Sequence, residues 1–384
     1  MRRLPLCRTP SKILIALLLI ASFCPNITAE SIGEPSAKDR QITLTVRILM
    51  TRQHLTKHKL DDEISQRALV TFLKALDPMK LYFLQSDIDE FDAKKNDIDD
   101  MINDGKLEFA FTVFDRLMER MVVSVTAANR MIDEKHDFTV DEYLSTDWDN
   151  LTYAADRTAL DDRWRKRIKY NLLVLKGDET EGDEARQRLH RRYNSLLKQM
   201  QQTKTDELLE MFLTAVTTSY DPHTTYMSPT TLENFEIQMR LNLDGIGAQL
   251  TLEDGYTNIT KIITGGAADQ QGDLTVKDRI VSVGQGADGE MVDVIDMKLN
   301  DVVAKIRGKA GTTVRLGIIH DGSAETVEVK IVRAKIQLRD SEAKGKIIEH
   351  QLGADSKTYK VGIINLPSFY MDMEAARKGV KDYR

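Results

Sequence analysis

Residues 244–256 read DGIGAQLTLEDGY, with two glycines one residue apart at 245 and 247. A Gly-x-Gly turn brings main-chain amides close to an anion. A dinucleotide fingerprint needs a third glycine and a helix straight after the turn, so that the helix N-terminus faces the pyrophosphate. Here the turn feeds a strand. Ile246, Ala248, Leu250 and Leu252 alternate onto one face, and Gln249, Thr251 and Glu253 onto the other. The amides around Gly245, Ile246, Gly247 and Ala248 form a nest at the head of that strand, which suits a carboxylate.

Outward from this turn lie the short strand-like runs IQMRLNL, AQLTL, YTNITKII, RIVSVG, TVRLGII and TVEVKIV, punctuated by Asp-Gly, Gly-Gly and Gly-Asp pairs. One helical stretch, MKLNDVVAKIRG, interrupts them and places Leu299, Val302, Val303 and Ile306 on a single apolar stripe. Short strands with one or two helices predict a small, partly open β-barrel over residues 237–335. A strand edge beside an apolar helix stripe makes a groove for an extended peptide. Main-chain bonds would supply affinity, the nest would take the terminal carboxylate, and the apolar side chains, Leu250 among them, would select the last residue. The alternative is that the glycines make a bend and the stripe is core.

The preceding half, residues 30–236, has another texture. SQRALVTFLKALD spaces Leu69, Phe72, Leu73 and Leu76 at helical intervals, and EFAFTVFDRLMERMVVSV does the same with Phe109, Val113, Leu117 and Met121. This predicts a helical domain. Residues 336–384 add the strand-like KVGIINL and a helix-like tail, too little to bury a core of their own. The expected class is α+β and multidomain.

The first residues read as a secretory leader. Arg2, Arg3, Arg8 and Lys12 precede the apolar run ILIALLLIASFC, and Ile27-Thr28-Ala29 offers small residues for cleavage. The expectation is export to the periplasm with residues 1–29 removed; a retained membrane anchor is the alternative, against which the run is short for a span. Phe23 before Cys24 argues against a lipoprotein. Cys7 and Cys24 are the only cysteines, so the remainder has no thiol for a disulfide, a metal or a nucleophile. The formal net charge of −6 becomes more negative once the four basic residues of the leader are gone, which disfavours nucleic acid as a partner.

GIGAQL, ITGGAADQQGDLTVKDRIVSVGQG and DVVAKIRGKAGTTVRLGI together resemble a PDZ domain of the bacterial type, in the order found in the C-terminal processing, or tail-specific, peptidases. FLKALDPMKLYFLQSDIDEF and SYDPHTTYMSP are similar to two N-terminal segments of that family, and KVGIINLPSFY to the opening strand of its catalytic core. The resemblance implies an exported serine peptidase that captures the C-termini of unfolded or tagged proteins through its PDZ domain and cuts with a serine paired to a lysine base. It needs no cofactor or metal. In the family both dyad residues lie beyond the opening strand, so the expectation is that they fall past Arg384 and that this chain alone binds without cutting. A non-catalytic exported PDZ protein is the alternative.

Other constellations invite chemistry. Ser195-Leu-Leu-Lys198 and Ser341-Glu-Ala-Lys344 match the Ser-x-x-Lys of penicillin-recognising enzymes but lack its companion elements, and are read as coincidence. His54 and His58 have zinc-like spacing without an intervening glutamate and are expected at a solvated helix end. DIDEFDAKKNDIDDMINDG lacks the glycine of a calcium loop and is expected to form a wet helix face. RWRKRIKY is expected to be a helix surface with internal ion pairs. SYDPHTTYMSP, with Asp221, His223 and Thr224, is expected to be an ordered connection between the two domains.

Overall fold

The computed structural model describes residues 32–351 and 358–380. The expected leader, both cysteines and Arg384 lie outside the described residues. Nine helices build the first half among them: α1 Ala37–Gln53, α2 Asp62–Leu76, α3 Gln85–Asp92, α4 Ile98–Asp104, α5 Glu108–Asp133, α6 Arg157–Gly177, α7 Gly182–Gln201, α8 Thr205–Thr218 and α9 Pro229–Arg240. None of them is long and apolar enough to cross a membrane.

Local chemistry sets the ends of these helices. Ser36 opens α1 with a capping box: its hydroxyl accepts from the Asp39 amide, and the Asp39 carboxylate accepts from the Ser36 amide. The end of SYDPHTTYMSP is a start signal, since Ser228 caps α9 and Pro229 occupies its first turn, where a missing N–H costs nothing. The apolar stripes of α2, α5, α6, α7 and α8 meet in one core, with Phe72 edge-on to Phe212 and Trp164 fully buried.

The stretch LDPMKLYF owes its shape to one buried carboxylate. Asp77, just past α2, accepts from the amides of Leu81, Tyr82 and Phe83 at 2.8, 2.9 and 3.0 Å. The chain so folded carries Leu81 and Phe83 into the core, and the Leu81 carbonyl accepts from the Trp164 indole at 2.8 Å. The acidic run after it departs from the expected wet face. Asp87 is buried and accepts from Arg116 and Arg120 of α5, and Asp99 accepts from the Ser65 hydroxyl. Burial pushes the Asp87 carboxyl up, but the two arginines and the Leu84 amide outweigh it and hold it below the usual range. RWRKRIKY lies on α6 and has two sides: Arg165 and Lys166 pair with Asp162, while Trp164 and Ile168 are core.

α9 runs through the expected boundary at residue 236, so the chain passes between domains along a helix, and Ile237–Arg240 are helical rather than the start of a strand. Leu241 reverses the chain in the left-handed region. The second domain comprises β1 Asn242–Gly245, β2 Ala248–Glu253, β3 Tyr256–Ile262, α10 Ala267–Gln271, β4 Arg279–Gln285, β5 Val292–Asp293, α11 Leu299–Ile306, β6 Thr313–Ile319, β7 Thr326–Val332 and β8 Ala334–Gln337. Its antiparallel sheet has the order β2-β3-β4-β6-β7, with β5 added to β4; β1 and β8 pair separately. Ile280, Val302, Val314, Leu316 and Ile318 fill the core between sheet and helix. This is the small open sheet with flanking helices that the strand pattern called for.

All of KVGIINL but Leu366 lies in β10, Thr358–Asn365, which among the described residues pairs only with β9, Lys344–Gln351. The hairpin leaves Ile347 and Ile364 largely exposed, as expected of a segment without a core. A short α12, Met373–Arg377, returns to α9, where the Met371 amide donates to the Met239 carbonyl.

Replacing Asp77 by alanine is expected to strand three buried amides and lower the stability of the helical domain by about 3 kcal/mol or more, read from chemical denaturation followed by tryptophan fluorescence.

Candidate peptide-binding groove

β2 is the edge of its sheet: β3 covers one side, and no strand pairs with the other among the described residues. α11 packs against β2 and β4. Gly245 ends β1, and the loop to β2 consists of Ile246 and Gly247, whose carbonyls and amides have different fates. The Ile246 carbonyl accepts from the Ala268 amide and the Gly247 carbonyl from the Ile263 amide, both at 2.8 Å. The amides of Ile246 and Gly247 donate to nothing among the described residues. The loop is thus anchored through its acceptors and keeps its donors free, the condition a nest for an incoming anion requires.

The two glycines do different jobs. Gly247 sits at φ +81°, and a Cβ there would stand 3.1 Å from the Cα of Gly266, at the start of α10, and 3.2 Å from the Ile336 side chain. Two backbones touch here, and no side chain fits. Gly245 is not left-handed, and a Cβ would meet only ordinary contacts at 3.7 Å and beyond.

The remaining expected groove residues divide. Ile246, Val302 and Ile306 are buried among the sheet's core residues, so they support the groove from beneath. Ala248 and Leu250 on β2 are half-buried and pack against that core, and Leu299 and Val303 on α11 are half-buried. The end of α11 is secured by Arg333, between β7 and β8. This buried guanidinium donates to the carbonyls of Lys305 and Ile306, to Gln285 Oε1, and to Thr312 and Thr313. A cation on the last carbonyls of a helix answers both its unpaired acceptors and its dipole.

The opposite end of the groove meets the helical domain. Asp254 and Gly255 turn β2 into β3, both at positive φ, as a two-residue hairpin turn demands. Asp254 accepts from Arg188 at 2.7 Å and from Arg192 at 2.9 Å, both on α7. Lys198 pairs with Asp296, and Gln202 donates to the Asp296 carbonyl. At the start of α11, Lys204 pairs with Asp301, and Lys298 with Glu207. Both walls of the groove therefore rest on α7 and the start of α8 at the end away from the glycine loop.

The Ser-x-x-Lys pairs have structural partners. Ser195 is buried, bonds Gln199 and lies against Gly255, while Lys198 is in the junction just described. Lys344 reaches toward Asp340. The expectation of a solvated His54 is overturned. Its side chain is 6% exposed, with Nε2 2.9 Å from Asp221 Oδ2 and 3.0 Å from Thr224 Oγ1. The Thr56 amide donates to Nδ1, which leaves Nε2 to carry the proton toward Asp221. SYDPHTTYMSP joins α8 to α9 rather than the two domains, and is bound to the end of α1 through this pair. Among the described residues no group of three or more His, Cys, Asp or Glu is placed to hold a metal ion.

Sequence reasoning missed Arg333, the junction of α7 with the β2–β3 turn, and Gly266 as the partner of Gly247. Each depends on contacts distant along the chain; a basic residue just after a helix was the one available signal, and it belongs to Arg307.

Comparison with known proteins agrees with this architecture. Residues 45–230 match the model of the tail specific protease N-terminal domain, and residues 235–319 that of the PDZ domain. The tail-specific protease of Haemophilus influenzae is 32% identical over 352 residues, 91% of this chain and 50% of that protein. The carboxy-terminal processing protease CtpB of Bacillus subtilis is 29% identical over 178 residues, 46% of this chain and 36% of that protein. A PDZ domain of a carboxy-terminal protease from Vibrio cholerae, solved in complex with a peptide, is 41% identical over 26% of this chain and all of that one, with a TM-score of 0.25. The chain spans half or less of the length of these two curated relatives.

Gly247→Ala is expected to cost about 1–3 kcal/mol through the left-handed backbone and the Gly266 contact, whereas Gly245→Ala stays within about 1 kcal/mol; paired thermal melts test the difference. A helical first domain, an open sheet with a glycine loop at its edge, and matches to both domain models in the same order make this chain a member of the tail-specific, or C-terminal processing, protease family.

Proposed function

We propose that the groove between β2 and α11 binds the carboxy-terminal ends of other polypeptides, and that the chain is the substrate-recognition part of an exported tail-specific serine peptidase. The observation that carries this reading is the pair of free amides at Ile246 and Gly247, at the head of an open strand edge. An extended peptide adds to such an edge antiparallel to β2, with its last carboxylate at the loop and its side chains alternating into the groove. Ala248, Leu250, Leu299 and Val303 favour an apolar last residue. Unfolded or tagged proteins, whose ends are accessible, are the substrates that this geometry suits.

The names of the curated relatives support the peptidase half of the reading. A serine acting with a lysine base needs that lysine neutral, hence desolvated. No lysine among the described residues stands in such a relation to a serine: Lys198 is ion-paired to Asp296 beside Ser195. We assign the catalytic role to no residue of this sequence, and export to the leader expected over residues 1–29.

Fluorescence anisotropy with two labelled peptides ending in the same apolar residue, one a free acid and one an amide, tests the binding site. The free acid is expected to bind at least about tenfold more tightly, since bonds to a charged acceptor are lost in the amide. Equal affinities would remove the assignment. Incubation with an unfolded protein is expected to yield no cleavage by this chain.

A further inference from the structure

Most of the structure's partly buried arginines have spent their charge. Arg116 and Arg120 hold Asp87, Arg165 holds Glu142, and Arg188 and Arg192 hold Asp254. Arg163 donates to the carbonyls of Lys80 and Thr152, and Arg333 to those ending α11. Arg307, like the partly buried Arg47, Arg167, Arg240 and Arg279, has no carboxylate partner among the described residues, and of these it is the one that lies at the glycine loop. It is the first residue past α11, half-buried, and its guanidinium has five donors to place. One of them, Nη1, meets Asn234 Oδ1 on α9 at 2.7 Å. No carboxylate forms an ion pair with Arg307 among the described residues. Burial pulls its pKa down and the field of Glu233 pulls it partly back, as expected of a cation that has lost water without gaining a counter-ion.

Its position gives that charge a use. The Arg307 side chain runs beside Gly245, with Cγ 3.9 Å from where a Cβ on that residue would stand. Ile246 and Gly247, with their free amides, are the next two residues. The side chain of the unpaired cation thus passes the loop that carries the unpaired donors, the one reaching it from the end of α11 and the others at the head of β2.

We infer that Arg307 completes the anion site, supplying the positive charge that faces the terminal carboxylate of a bound peptide, with Asn234 as the positioning residue that holds it beside the loop. The inference rests on the reading of the groove as a site for polypeptide C-termini. It adds a specificity element: two amides accept any hydrogen-bond acceptor, whereas a partly desolvated guanidinium rewards a full negative charge. It also ties the site to the helical half, because Asn234 belongs to the helix that joins the domains.

The test uses the full chain and the same acid and amide peptides, measured for the wild type, Arg307→Met, Arg307→Lys and Asn234→Ala. For Arg307→Met the acid is expected to bind about tenfold more weakly while the amide is unchanged, so that the acid-to-amide preference collapses toward the amides' contribution alone. Arg307→Lys restores part of the preference, and Asn234→Ala lowers it by a smaller factor. Raising the salt concentration lowers the preference in the wild type and leaves it flat in Arg307→Met. A full wild-type preference retained in Arg307→Met overturns the inference and leaves the groove reading standing. An equal loss for acid and amide assigns Arg307 a structural role and overturns it also. A wild type that does not distinguish acid from amide overturns the groove reading itself.

Discussion

The proposed peptide site depends on an imbalance within two residues. Backbone donors and acceptors in a folded protein are paired with few exceptions, and a loop at the edge of a sheet has to find partners in two directions. Here the acceptors of Ile246 and Gly247 are taken by Ala268 and Ile263, from the far side of the loop, while their donors are left over. The contact of Gly247 with Gly266 makes this possible, since only two bare α-carbons let α10 come close enough to bond the loop from behind. Side chains at either glycine would push the two segments apart and free the acceptors.

The walls of the proposed groove are held by different means at their two ends. Near the loop, Arg333 binds the end of α11 through main-chain carbonyls, within the PDZ domain. At the other end the hairpin turn of β2 and the start of α11 are both ion-paired to α7 and α8. The distance between strand and helix is therefore set jointly by one domain's core and by the other domain's surface. An extended ligand laid antiparallel on β2 runs from the glycine loop toward α7, so its upstream residues approach the helical half.

Much of this was legible from residue spacing. Alternation after Gly247 distinguished a strand from a helix and so excluded a dinucleotide loop, and the period of 3.6 in α2 and α5 marked the helical half. IQMRLNL misled because Ile237, Met239 and Leu241 alternate as in a strand while α9, started by Ser228 and Pro229, continues through Arg240 and Leu241 ends it. The stripe on α11 was recognised as one face, but spacing cannot distinguish residues beneath a groove from those lining it; Val302 and Ile306 are core, Leu299 and Val303 are not. His54, Asp87 and Asp99 were expected in water because a polar residue on a helix usually is, and each is instead buried against a partner 29 or more residues away. Such pairs are properties of the packed chain, and no local pattern announces them.

The junction between the halves is written in charge. Each half has an apolar core of its own, while what joins them at α7 is a set of arginine and lysine contacts to aspartate and glutamate. Electrolyte weakens such contacts and hardly touches oily interiors. The two bodies are consequently joined by a coupling whose stiffness follows the ionic composition of the surrounding fluid, so that a dilute medium braces the mouth of the groove and a briny one lets it slacken while both bodies stay folded.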